Sequence, residues 1–82
     1  MPRYFLHIQD PNGLCPDADG YDAPDLATAC ELARRAAAEM VADDLRNADA
    51  TAFAIHVDDE AGARVAVINV AASLGASSIP SA

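Results

Sequence analysis

The chain has 82 residues, enough for one domain, and 52% of them are hydrophobic, with alanine a large share of that total. Its net charge is −8, from 13 Asp and Glu against five Arg and no Lys. That balance argues against nucleic acid, whose affinity comes mainly from cations that neutralise phosphates, and against an anionic membrane surface.

Large apolar side chains are few, and alanine buries little area per residue. At about 25 cal/mol per Å² of apolar surface, such a core barely exceeds the entropy cost of ordering the chain. A homodimer is therefore the default expectation, since a second copy supplies the missing burial. A basic protein partner is allowed by the acidic charge but not demanded by it. Two cysteines, Cys15 and Cys30, are too few for a disulfide scaffold. No apolar run approaches the roughly 20 residues of a membrane span, and no targeting segment opens the chain. The expected compartment is the cytoplasm of a bacterium, where the thiols stay reduced.

In chain order, Arg3 to Gln9 reads as a strand: Tyr4, Leu6 and Ile8 alternate with Phe5, His7 and Gln9. Asp10-Pro11-Asn12-Gly13 is turn chemistry. A short second strand is expected between Leu14 and Ala23, bulged or at an edge because Pro16 and Asp17-Ala18-Asp19-Gly20 interrupt it. Asp25 is a good helix N-cap, with Pro24 before it. From Leu26 the positions Ala29, Cys30, Ala33, Ala37, Met40 and Val41 share one helical face, and Glu31, Arg35, Glu39 and Arg46 lie opposite. The helix is expected to end near Arg46 or Asn47, with Asn47 as an αL terminator. Asp43 and Asp44 oppose the helix dipole at that end. Thr51 to Asp58 and Arg64 to Ala71 form a β-hairpin around Asp59-Glu60-Ala61-Gly62. The predicted fold is α+β, a two-layer ββαββ domain over residues 1–72 with a flexible tail from 73 to 82. One helix covers one face of a small antiparallel sheet.

Chemical motifs are sparse. His7 and His56 fall at positions alternating with the large apolar residues, and they share the sheet face away from the helix. They read as surface or interface histidines, with no carboxylate or thiol at ligand spacing in the sequence. Asp17 to Asp22 has the carboxylate density of a calcium loop. An EF-hand loop needs Gly at its sixth position and Glu at its twelfth, whereas Gly20 is fourth from Asp17 and Thr28 is twelfth. The cysteines lack a C-x-x-C pair and a flanking base, the serines have no plausible partner base, and no phosphate-cradling loop is present. No catalytic, cofactor-binding or metal residues are expected, and the chain does not read as an enzyme. The residues expected to mediate self-association are Phe5, His7, His56, Val65 and Val67. Phe5 lies on the uncovered face, and the register of the last strand decides whether Val65 and Val67 or Ile68 and Val70 join it.

The opening Met1-Pro2-Arg3-Tyr4-Phe5-Leu6-His7, the Asp17-to-Gly20 step, Pro24-Asp25-Leu26 before an Ala-rich helix, and the Asp58-to-Arg64 hairpin together resemble a family. It is the family of short bacterial proteins known as domain of unknown function 6894. The resemblance covers residues 1 to 72 and departs from the family pattern at Ala71-Ala72-Ser73, where an aromatic-containing end is expected. It implies no activity and no site residues. The leading functional reading is a non-enzymatic accessory or protein-interaction module that self-associates. A second is an antitoxin-like module similar to the HicB type, in which the acidic chain binds a small basic protein. A third is a small metal-binding protein or enzyme using His7 and His56.

Overall fold

The computed structural model describes residues 1–48 and 50–73. Five strands and one helix follow in order: β1 (Arg3–Asp10), β2 (Gly13–Cys15), β3 (Tyr21–Asp22), α1 (Leu26–Asn47), β4 (Ala50–Asp58) and β5 (Arg64–Ser73). All the pairings are antiparallel, and the sheet runs β2-β1-β4-β5. The predicted second strand is split. Pro16 and the Asp17-to-Gly20 turn divide it into β2, which pairs with one end of β1, and β3, which pairs with the other. Ser73 is the last residue of β5, and 74–82, assigned above to a flexible tail, lie outside the described residues.

The helix begins where the sequence places it. Asp25 caps it, its Oδ1 accepting the Thr28 N–H at 2.8 Å. The other end differs from expectation. Asn47 does not adopt αL; the chain leaves the helix through extended Ala48, whose N–H donates to the Asp44 carbonyl. The Asn47 side-chain amide donates to the Asp43 carbonyl at 3.0 Å instead. The two acids that oppose the dipole there each have a local partner: Asp43 pairs with Arg46 at 3.0 Å, and Asp44 accepts from the Thr51 hydroxyl at 2.6 Å.

Alternation places Tyr4, Leu6 and Ile8 of β1, Phe53, Ile55 and Val57 of β4, and Ala66, Ile68 and Val70 of β5 under the helix. The helix packs on β4 and β5. Ala29, Ala33 and Ala37 form its buried stripe, and such small side chains let the helix axis approach the sheet closely. Cys30, expected on that stripe, is only half-buried and stands outside the core cluster. The core is thin. Among the described residues eight hydrophobic side chains are buried and four of them are alanine, and the largest fully buried side chains are Ile55 and Val57.

Hydrogen bonds from Thr28 to the Asp25 carboxylate hold its pKa below the ordinary 3.8. A depressed carboxylate contributes stability that is complete above its unfolded pKa and is lost as pH falls through the lower folded value. Asp25→Ala should therefore lower the thermal midpoint near neutrality, and the gap to wild type should shrink as pH drops from about 5 towards 2. Circular-dichroism melts across that range check it; a pH-independent gap would contradict the charged cap.

Candidate functional site

Pairing β1 with two short strands leaves a gap on its outer edge. β2 takes Ile8 to Asp10 and β3 takes Arg3 and Tyr4. Asp17 fills the gap. Its Oδ2 accepts the Leu6 N–H at 3.2 Å, and its Oδ1 accepts the N–H groups of Asp19 and Gly20 at 3.3 and 3.1 Å. One carboxylate thus replaces a missing strand residue and fixes its own turn. The calcium-like acidic run is in this respect a turn whose leading carboxylate is occupied by backbone donors.

The Asp17 N–H donates to His7 Nδ1 at 2.9 Å. Accepting there places the ring proton on Nε2, which faces Asp58 Oδ2 at 3.3 Å. Asp58 Oδ1 in turn meets Arg64 Nε at 3.1 Å. A register shift between Val57 and Asp58, with Val57 opposite Ala66 and Asp58 opposite Arg64, makes Val65 the extra residue of a bulge and aligns Arg64 with the carboxylate. A carboxylate absent from the sequence neighbourhood of His7 is therefore supplied in space. Nδ1 of His7 is thus taken by a backbone donor, and Nε2 stands beside the Asp58 carboxylate.

Phe5 and His7 stack with ring centroids 6.3 Å apart. Gly20, at φ +76°, packs beneath them: a Cβ there would lie 2.8 Å from Arg3 Cγ and 3.0 Å from Phe5 Cε2. Arg3 clamps the same loop, donating from Nη1 to the Asp19 carbonyl at 2.8 Å and pairing with Asp22 at 3.2 Å. Its backbone N–H reaches Glu60 Oε1 at the tip of the β4–β5 hairpin, 2.6 Å away.

His56 lies directly opposite His7 across the strands, with Val67 on its other side. Its Nδ1 is buried without a hydrogen-bond partner among the described residues. The five residues expected to mediate association thus share the face away from the helix, and the register selects Val65 and Val67 over Ile68 and Val70, which sit under the helix. Val65 and Val67 are 38% and 46% exposed, whereas Phe5 is half-buried by the Gly20 loop. Leu14, opposite Gln9, adds a further exposed apolar side chain to that face and was missed from the sequence.

Among the described residues no group of three or more His, Cys, Asp or Glu is arranged to hold a metal ion. None of the described helices is long and apolar enough to cross a membrane. A hollow of about 360 Å³ lies between the helix end and the β1–β2 turn, above Ile8, Met40 and Phe53. Its acids Asp10 and Asp44 already accept hydrogen bonds from Asn12 and Thr51.

One helix on an open antiparallel sheet, with the outer edge of its first strand closed by two short strands and the Asp17 carboxylate, defines a small α+β domain. Residues 3–71 match the family described as Domain of unknown function (DUF6894), and the chain belongs to that family. No curated protein and no solved structure matches it significantly.

The two histidines should respond oppositely to replacement. His7→Phe removes the acceptor for the Asp17 N–H and the ring nitrogen beside Asp58, and should cost about 1–3 kcal/mol. His56→Phe removes an unpaired buried nitrogen and should be near neutral or stabilising. Urea unfolding of both variants checks this; equal losses would refute it. Asp17→Ala, which leaves three backbone donors without their acceptor, should destabilise at least as much as His7→Phe.

Proposed function

We propose that the chain is a non-enzymatic interaction module that associates with a second copy of itself through its sheet. The observation that carries this reading is that the helix packs on one side of the sheet, over β4 and β5, while among the described residues the opposite face and the β5 edge have no covering element. The thin core supports it. With four of eight buried hydrophobic residues alanine, burial against a second copy adds the apolar area that the single domain lacks.

Nucleic acid and anionic membranes are poor partners on this reading, because a net charge of −8 repels them. The compartment we propose is the bacterial cytoplasm, where Cys15 and Cys30 remain thiols. Folding and association are then linked, so stability depends on concentration. Light scattering on the purified chain at micromolar concentration should give twice the monomer mass, and the thermal midpoint should rise on hundredfold concentration. A monomeric mass with a concentration-independent midpoint would refute self-association.

A further inference from the structure

We infer that β5 is the association surface, pairing antiparallel with β5 of a second copy across a two-fold axis to make one continuous sheet. This rests on the self-association proposed above and specifies its geometry.

The two edges of the sheet are treated differently. On the β1 side, β2 and β3 cover both ends of the strand and the Asp17 carboxylate takes the Leu6 N–H between them. On the other side, β5 ends the sheet with no neighbour among the described residues. Its residues 65 to 73 read Val-Ala-Val-Ile-Asn-Val-Ala-Ala-Ser, without a charge, proline or glycine. Lone edges are normally protected by charged side chains, proline or shortness. These nine uncharged residues, about 30 Å of strand at 3.3 Å each, have none of these three protections, and the bulge at Val65 touches one end only, with 66 to 73 in regular register.

The choice of edge over face follows from what each would bury. The open face carries His7, Gln9, Asn69 and the Asp58–Arg64 pair, and packing a second sheet on it would desolvate them. Edge pairing satisfies backbone groups and leaves those side chains in water. It also sets the exposed Val65 and Val67 stripe, and the half-buried Ile68 and Val70 under the helix, beside their counterparts in the partner subunit.

Charge selects a second copy over a basic protein. Each chain carries −8, yet none of its 13 acids lies within 65 to 73. A cationic strand finds no complement on this edge, and a second copy brings an equally neutral one. Full overlap of 65 to 73 places Asn69 opposite Asn69 of the partner subunit, on the axis.

The test uses Cys15→Ser, Cys30→Ala full-length chain carrying Val67→Cys, Asn69→Cys, Ala71→Cys or Gln9→Cys singly. Directly opposed antiparallel residues have Cα atoms about 4.5–5.5 Å apart, within disulfide range. Sheets packed face to face stand about 10 Å apart, beyond it. Gln9 lies two strands inside β5, so across an edge dimer its copies are roughly 24 Å apart, five strand spacings of about 4.8 Å.

Mild oxidation should cross-link at least one of positions 67, 69 and 71, with the maximum expected at 69, and should leave Gln9→Cys uncross-linked. Asn69→Asp, an exposed change that sets like charges opposite one another, should raise the dimer dissociation constant at least tenfold while leaving the monomer folded. A dimer that cross-links at none of the three β5 positions, or at Gln9→Cys, overturns the edge assignment alone. A monomeric mass by light scattering overturns the association as well.

Discussion

The outer edge of β1 is the constraint from which much of this architecture follows. A strand of eight residues needs backbone partners along its length, and the chain answers with two short strands and a carboxylate. Asp17 is effective because an ionised oxygen accepts more strongly than a carbonyl and one side chain presents two of them. Those oxygens take one N–H from β1 and two from the Asp17 turn itself. The turn must then lie flat on the open face. Only a residue without a Cβ fits at position 20, because Arg3 and Phe5 already occupy that space and φ is positive. Arg3, Phe5, His7, Asp17 and Gly20 are thus several parts of one arrangement.

The same arrangement couples distant segments. His7 joins the Asp17 turn to Asp58 at the end of β4, and Asp58 joins β5 through Arg64. Asp59 then folds the hairpin onto itself by accepting the Ala61 and Ala63 N–H groups, each at 2.9 Å. Glu60 at the tip returns to Arg3. These bonds are mostly at or near the surface, where each one contributes little net stability. Their importance lies in register: they select one pairing of β1, β4 and β5 over slipped alternatives that would move the apolar side chains to water.

Periodicity made the fold legible. The α+β class, the helix from Leu26 to Asn47 with its Asp25 cap, and the closing hairpin all follow from alternation, capping and turn residues. Four features did not. The split of the second strand depends on a carboxylate replacing backbone, which no local propensity encodes. The extended exit at Ala48 goes with an Asn47 amide that donates to the Asp43 carbonyl instead of terminating the helix in αL, a local choice that residue type alone leaves open. The partners of His7 lie 10 and 51 positions away, at Asp17 and Asp58, so only the register could reveal them. The choice between Val65–Val67 and Ile68–Val70 was likewise a question of register, decided by the bulge at Val65.

His7 and His56 show why residue type alone says little about chemistry. They face one another across adjacent strands on the same surface, and a sequence reading pairs them as one candidate site. In the fold their positions diverge: His7 accepts a backbone N–H at Nδ1 and faces Asp58 at Nε2, while His56 has a buried nitrogen with no partner among the described residues. Of the residues that carry the family resemblance, Arg3 to His7 and Asp17 to Gly20 meet at the outer edge of β1, and Asp25 caps the helix. A family match over residues 3–71 is then, in physical terms, a match to a scaffold, and it leaves function to what the scaffold exposes. That surface combines an open face carrying paired polar groups with a β5 edge that carries no charge from 65 to 73. In a chain this acidic, such a stretch would offer the least electrostatic repulsion to the proposed second copy.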